Sequence, residues 1–408
     1  MAAETGNRTA YRSVALEQEG LSSLSRPAAK PRRYYDYTLV FLIVLISTFG
    51  LLMVYSSSYY TASMSSKVGY DGSYYLKKQA WNVAIGLVVM IVVSKLDYHK
   101  LVKWFAVLAY LGSIAVMVLT NFTSFGKEYN GAKRWFGIGN RTLFQPAELV
   151  KVGLIIFTAF LLVKLKNRID QWKYLILVVL LLVVPVGLVA MNNLSSGIIL
   201  TVIPFGMVLC ASQKKLRWGV MIGLAIVGAV IIVVFAKELV EYKILKDYQV
   251  MRILVWKNPE QYSDEGGWQV LQGLYAIGSG GLFGKGIGNG TQKLGFVPEA
   301  QNDMIFSIIC EELGIFGAIC VILLFIYMFY RFMIIARNAP DTMGILIVTG
   351  VFIHIAVQVI LNIAVVTNFI PNTGVTLPFI SYGGTSILFL MTEVGLVLSV
   401  ANRIELKG

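Results

Sequence analysis

Four carboxylates crowd one short stretch of the chain, "VPEAQNDMIFSIICEELGIFG", residues 297–317. Glu299 and Asp303 stand before an apolar run, and Glu311 and Glu312 lie inside it. An acid at the centre of a membrane helix costs roughly 2.5–3.5 kcal/mol even on lenient scales, so acids there are functional candidates. Asp303 precedes "MIFSII", the place of a helix N-cap, where a carboxylate accepts backbone N–H bonds and faces the helix dipole. That placement predicts a lowered pKa and a carboxylate charged at neutral pH, able to accept a proton or hold a divalent cation. Glu311 and Glu312 fall more than two turns deeper and are expected to pair with lysine or arginine rather than to catalyse.

Upstream lies "GSGGLFGKGIGNGTQK", residues 278–293. A glycine-rich loop can bring backbone N–H groups close to phosphate oxygens, with Lys285 and Lys293 as point charges. It is not a Walker A loop, because Lys285 is followed by Gly286 rather than Ser or Thr. A flexible external loop accounts for the same glycines. In "NGAKRWFGIGNRTLFQPAELVKVG", residues 130–153, Gln145, Glu148 and Lys151 recur at three-residue steps and share a helical face, with Pro146 in the first turn. Glu148 and Lys151 are read as a mutually neutralising structural pair. Arg134 beside Trp135 is an anion ligand or an interfacial anchor. Two prolines and a Gly pair in "PNTGVTLPFISYGGTS", residues 371–386, break the backbone beside a span, which is tolerated where a cavity or protein satisfies it; Ser381 would then line a pocket.

These groups need a membrane bundle to position them. The 408 residues are 57% hydrophobic and 14% charged, with a mean hydropathy of +0.70. A soluble protein carries about 25% charged residues. Windows long enough to cross a bilayer are expected near 38–55, 80–96, 103–120, 147–164, 173–191, 195–212, 217–236, 304–332, 343–367 and 379–401. The fold class is therefore an all-α polytopic membrane protein of about ten spans, with a long extracytoplasmic loop over 237–303 between the seventh and eighth. A basic tail over 1–37 and a short end over 404–408 flank the membrane domain of 38–403. Lysines and arginines mark alternate connectors, so both termini are expected in the cytoplasm. The net charge of +13 sits mostly in those connectors, which argues against nucleic acid. Cys210, Cys310 and Cys320 lie in apolar runs as small buried hydrophobes, and His99 and His354 form no zinc pattern.

"FQPAELVK", "GKGIGNGTQKLGFVPEAQNDMIFSIICEELG" and "LPFISYGGTS" together resemble the SEDS family of bacterial peptidoglycan glycosyltransferases, over roughly residues 38–403. "YYLKKQAW", "NGAKRWFGIG" and "PNTGVTLPFISYGGTS" look more like its division branch than its elongation branch. One departure is Asn192-Asn193, where the family usually has Pro-Asp before the sixth span. The resemblance implies the SEDS fold and polymerisation of lipid II at the outer face of the bacterial plasma membrane, at the division septum. It implies Asp303 as the catalytic carboxylate by motif position, with Glu299 next to it. Arg134, Lys285 and Lys293 would meet the pyrophosphate. A divalent cation, Mg or Mn, could sit at Asp303, and no organic cofactor is implied. The implied partners are a single-span class B penicillin-binding protein and other division proteins. That span would dock on the small residues Gly314, Gly317 and Ala318 of the eighth span or Gly344, Gly350 and Ala356 of the ninth. A lipid II flippase would also use ten spans and intramembrane acids, but a proton-coupled transporter wants them near the midplane, whereas Asp303 is expected at the external mouth. An elongation-type polymerase is the nearer alternative.

Overall fold

The computed structural model describes residues 34–129, 132–139, 141–214 and 247–405. The expected seventh span near 217–236 and most of the basic tail lie outside the described residues.

Among the described residues, eight helices are long and apolar enough to cross a membrane. They are α1 (Tyr37–Ser63), α2 (Tyr74–Lys95), α3 (Tyr98–Phe122), α4 (Pro146–Leu165), α5 (Trp172–Ala190), α6 (Leu194–Ala211), and, after two shorter helices, α9 (Ile305–Asn338) and α10 (Thr342–Val366). The shorter helices are α7 (Asp247–Lys257) and α8 (Gly267–Gly280), and α11 (Ser386–Ala401) is short but apolar. The expected last span starts seven residues later than its hydropathy suggested, because 371–385 is held out of helix by Pro371, Pro378 and the Gly383-Gly384 pair. The chain is a multi-pass membrane protein.

Several starts are dictated by single side chains. Asp36 accepts the Leu39 N–H at 2.9 Å, Asn193 that of Ser196 at 3.1 Å and Asp341 that of Gly344 at 2.7 Å, each satisfying a donor that the first helical turn leaves without a partner. Pro146 occupies the first turn of α4, where its missing N–H costs nothing. α4 is the centre of the bundle: 83% of its most apolar window is buried, against 28% in α2, α3 and α5, which present Trp81, Trp104 and Leu180 outward. It packs on α3, α6 and α10, while α11 lies along α2.

The all-α expectation needs one addition. Residues 126–144 form a three-stranded antiparallel sheet, β1 (Gly126–Tyr129), β2 (Ala132–Ile138) and β3 (Arg141–Phe144), in the order β1-β2-β3. Phe125, Phe136 and Phe144 stack across it and reach Phe389 of α11. The sheet packs against α3 and α4.

α9 is broken at Gly314, whose φ of 67° no helix contains. A break in a membrane helix frees N–H and C=O groups that lipid cannot satisfy. The glycine-rich segment satisfies them: Lys285 N and Gly286 N donate to the carbonyls of Glu311 and Glu312, and Ile315 N and Phe316 N donate to those of Gly281 and Leu282, at 2.9–3.0 Å. The approach leaves no room for side chains, since a Cβ on Gly280 would stand 1.9 Å from the Cys310 carbonyl oxygen. The glycines thus serve close backbone packing.

The small residues expected to receive a partner span are also used internally. A Cβ on Gly350 would meet Met207 and Ile155 within 2.9 Å, one on Gly344 would meet Val400, and Gly317 is buried. The outward face of α9 carries Ile315, Phe316, Ile319 and Leu323 instead. Cys310 is buried, but Cys210 and Cys320 lie exposed on the outer surface, so only one cysteine is the small buried hydrophobe expected.

Candidate active site

Asp303 sits in a turn just before α9, at the end of the bundle that also carries the sheet and the 371–385 segment. The turn is closed by Asn302 N donating to the Glu299 carbonyl at 2.8 Å, with Glu299 at a φ of 54°, and the Asn302 carboxamide also donates to the Glu299 carboxylate. Asp303 is not the cap of α9. Met304 occupies that position, one residue on, and caps nothing with its side chain.

The predicted low pKa is overturned as well. Burial is the largest influence and pushes the carboxyl up, and the charge of Glu299 pushes the same way. The N–H groups of Asp303 and Met304 and the charge of Arg252, on α7, pull it down but do not win, so the pKa stands at about 6. With 9% of Asp303 exposed, the carboxylate loses more from missing water than two amides and a cation return.

Three elements surround Asp303. Gln269 of α8 donates from Nε2 to Asp303 Oδ1 at 3.4 Å, while its Oε1 accepts from Asn372 at 3.2 Å. Asn362 of α10 donates to the Asp303 carbonyl at 2.8 Å. A strap of residues 372–376 crosses beside it, and its Gly374 is close enough that a Cβ there would lie 3.8 Å from Asp303 Oδ2. Arg252, Gln269, Asn362 and Asn372 escaped the sequence reading. For Asn362 a signal existed, since an asparagine inside an apolar span is costly and seldom idle. Arg252 is one charge among many in the long 237–303 segment, and nothing local marks it.

Glu299, exposed and acting on Asp303 electrostatically, is the one other sequence candidate brought to this site. Lys285 and Lys293 are committed elsewhere. Lys285 Nζ lies 2.8 Å from Glu311 Oε1, and Lys293 Nζ lies 2.5 Å from Glu312 Oε1 and 2.8 Å from Ser56 Oγ, with Lys293 only 5% exposed. Both charges are neutralised where the loop meets the break in α9, so both lysines are spent on these pairs. Ser381 is buried, and its hydroxyl accepts the Leu377 N–H at 2.8 Å, closing the turn after the strap.

Arg134 lies half-buried on β2 and donates from Nε to the Asn192 carbonyl at 3.2 Å. With Lys133, Gln145, Asn192 and Asn193 it rims a shallow pocket beside the start of α6. That pocket belongs to the sheet, which packs on α3 and α4, whereas Asp303 is surrounded by α8, α10 and the strap. Asn193 retains the capping role that an aspartate would have there. Lys151 Nζ lies 2.8 Å from Glu148 Oε1, both buried in α4.

Among the described residues no group of three or more His, Cys, Asp or Glu is placed to hold a metal ion. Asp303 and Glu299 are a like-charged pair that a divalent cation would relieve, and such ions take one or two carboxylates with the remaining oxygens from water or phosphate.

Residues 37–405 match the family model described as cell cycle protein, which unites FtsW, RodA and SpoVE. The chain is 34% identical to a probable peptidoglycan glycosyltransferase FtsW of Trichlorobacter lovleyi, over 91% of this chain and 94% of that one. It is also 34% identical to a probable peptidoglycan glycosyltransferase FtsW of Bacillus subtilis, over 92% and 93%. Its fold superposes with a TM-score of 0.71 on a solved chain from a peptidoglycan synthase complex that coordinates polymerisation and crosslinking, at 26% identity over 90% of this chain and 97% of that one.

Proposed function

This chain belongs to the FtsW, RodA and SpoVE family of cell cycle proteins, and we propose that it is a division-type peptidoglycan glycosyltransferase that polymerises lipid II with Asp303 as general base. Of the relatives at 34% identity two carry the FtsW name and one is a stage V sporulation protein E, so the elongation-type alternative is not favoured. One observation carries the choice of base: a buried carboxylate with a pKa of about 6 at the end of the bundle. A base is most useful when its pKa lies near the working pH, because it is then largely ionised yet still basic.

In the reaction the acceptor hydroxyl gives its proton to Asp303 as its oxygen forms a bond to the donor's anomeric carbon. The bond from that carbon to the pyrophosphate breaks, and the electron pair leaves with undecaprenyl pyrophosphate. One displacement inverts the anomeric carbon and needs no enzyme nucleophile. Arg252, whose charge reaches Asp303, would meet the departing pyrophosphate. A divalent cation held by Asp303 and Glu299 would supply further charge neutralisation to that leaving group.

On this reading both termini lie in the cytoplasm and Asp303 outside, an orientation that the lysine- and arginine-rich connectors support. There a class B penicillin-binding protein would crosslink the strand at the septum, with other division proteins alongside. The test is polymerisation of purified lipid II by this chain with a transpeptidase partner. Glycan strands should form with the native chain and be lost with Asp303→Asn. Lipid II translocation without polymerisation would favour a flippase.

A further inference from the structure

Two carboxamides inside the bundle hold the strap, and one of them also holds the backbone of the candidate base. Asn362 is fully buried, and its Nδ2 donates one proton to the Asp303 carbonyl and the other to the Val375 carbonyl, each at 2.8 Å. Both acceptors are carbonyl oxygens, so the amide cannot be flipped without losing both bonds. Its Oδ1 is buried and finds no partner among the described residues. A side chain kept in the core with one end unsatisfied is held there by its other end.

One turn earlier, Gln358 Nε2 donates to the Thr376 carbonyl at 3.0 Å, which fixes Gln358 Oε1 as an acceptor. That oxygen faces His354 Nε2 at 2.9 Å and Lys151 Nζ at 3.4 Å. His354 Nε2 faces that acceptor, and its Nδ1 lies 2.6 Å from Glu393 Oε2. His354, Gln358 and Asn362 recur at four-residue steps and so line one face of α10. Behind the strap they anchor to α4 through Lys151 and to α11 through Glu393.

We propose that Asn362 and Gln358 are positioning residues, a paired carboxamide clamp that sets the backbone of Asp303 against the 372–376 strap. The proposal rests on Asp303 being the base. Loosening the clamp lets the strap lift and water reach the carboxylate, whose other charged neighbours are Glu299 and Arg252. A base set off its line by a lifted strap takes the acceptor's proton more slowly.

The experiment compares the full chain with Asn362→Leu and Gln358→Met, in complex with its transpeptidase, on purified lipid II. Each variant should lose at least tenfold in kcat with KM nearly unchanged. Residues that only supported the fold would lower the folded fraction and leave the turnover per folded chain in place. Asn362→Ser, small enough to admit water, substitutes for the leucine variant if that one does not fold. Folded variants with native kcat would overturn the clamp. Should Asp303→Asn itself stay active, the base assignment falls, and hydrogen exchange decides the clamp separately. The amides of 373–376 must exchange faster in Asn362→Leu, and unchanged exchange would overturn it.

Discussion

Lys293 Nζ lies 2.5 Å from Glu312 Oε1, and Ser56 of α1 bonds to both, receiving from the lysine and donating to the carboxylate. A loop, a broken helix and a neighbouring span are pinned at one buried charge pair. Lys293→Met should therefore act on stability first. Removing one member of a buried pair typically costs about 3–5 kcal/mol, and removing both costs less. Thermal unfolding of Lys293→Met, Glu312→Gln and the double variant checks this. A single variant that melts like the native chain but fails on lipid II would return Lys293 to the substrate.

Asp303→Asn should reduce polymerisation by at least about a hundredfold. It should not destabilise the protein at neutral pH. The folded-state pKa of about 6 lies above the ordinary 3.8, so between those values the folded chain binds more protons than the unfolded one. Stability then falls as pH rises through about 4 to 6, and above 6 the ionised Asp303 costs up to about 3 kcal/mol. Asparagine removes that cost. A lower melting temperature for Asp303→Asn at pH 8 would contradict the burial of an ionised base.

The same group sets a pH–rate prediction. Only the ionised carboxylate can take the acceptor's proton, so the rate at limiting lipid II should rise with pH and level off above about 6. A curve still flat down to pH 4.5 would mean an ordinary, solvent-exposed acid.

Glu148 and Lys151 give a second double-mutant test. At 2.8 Å and both buried, they neutralise each other inside α4. Glu148→Gln or Lys151→Met alone should cost about 3–5 kcal/mol, with partial recovery in the double variant. Additive losses would show that the two do not depend on each other.

Gly280→Ala should fail to assemble the broken helix. Its Cβ would enter at 1.9 Å from the Cys310 carbonyl oxygen, which no rotamer can avoid because both atoms are backbone-fixed. Gly278→Ala, with no atom within 4 Å of the new Cβ, is the control and should express and melt normally. Equal behaviour of the two would mean that the loop is not seated on α9.

Much of this was legible in the chain alone. Apolar runs of about twenty residues located the spans, because a helix of that length crosses the hydrocarbon with every backbone bond satisfied within itself. Glu148 and Lys151 were recognisable as a pair from their three-residue spacing. Asp303 was found by motif, but its protonation behaviour was misread, because burial is a property of what folds over a residue and not of its neighbours in sequence. The partners of Lys285 and Lys293 likewise depended on a break in α9 that only the docked loop makes tolerable. Asn362 and Val375, and Gln269 and Asn372, meet across more than ten positions of chain, and no periodicity carries such pairings. Local spacing determined the helices and their charges; the tertiary structure alone decided which charges are spent on one another and which carboxylate is left dry enough to act as a base.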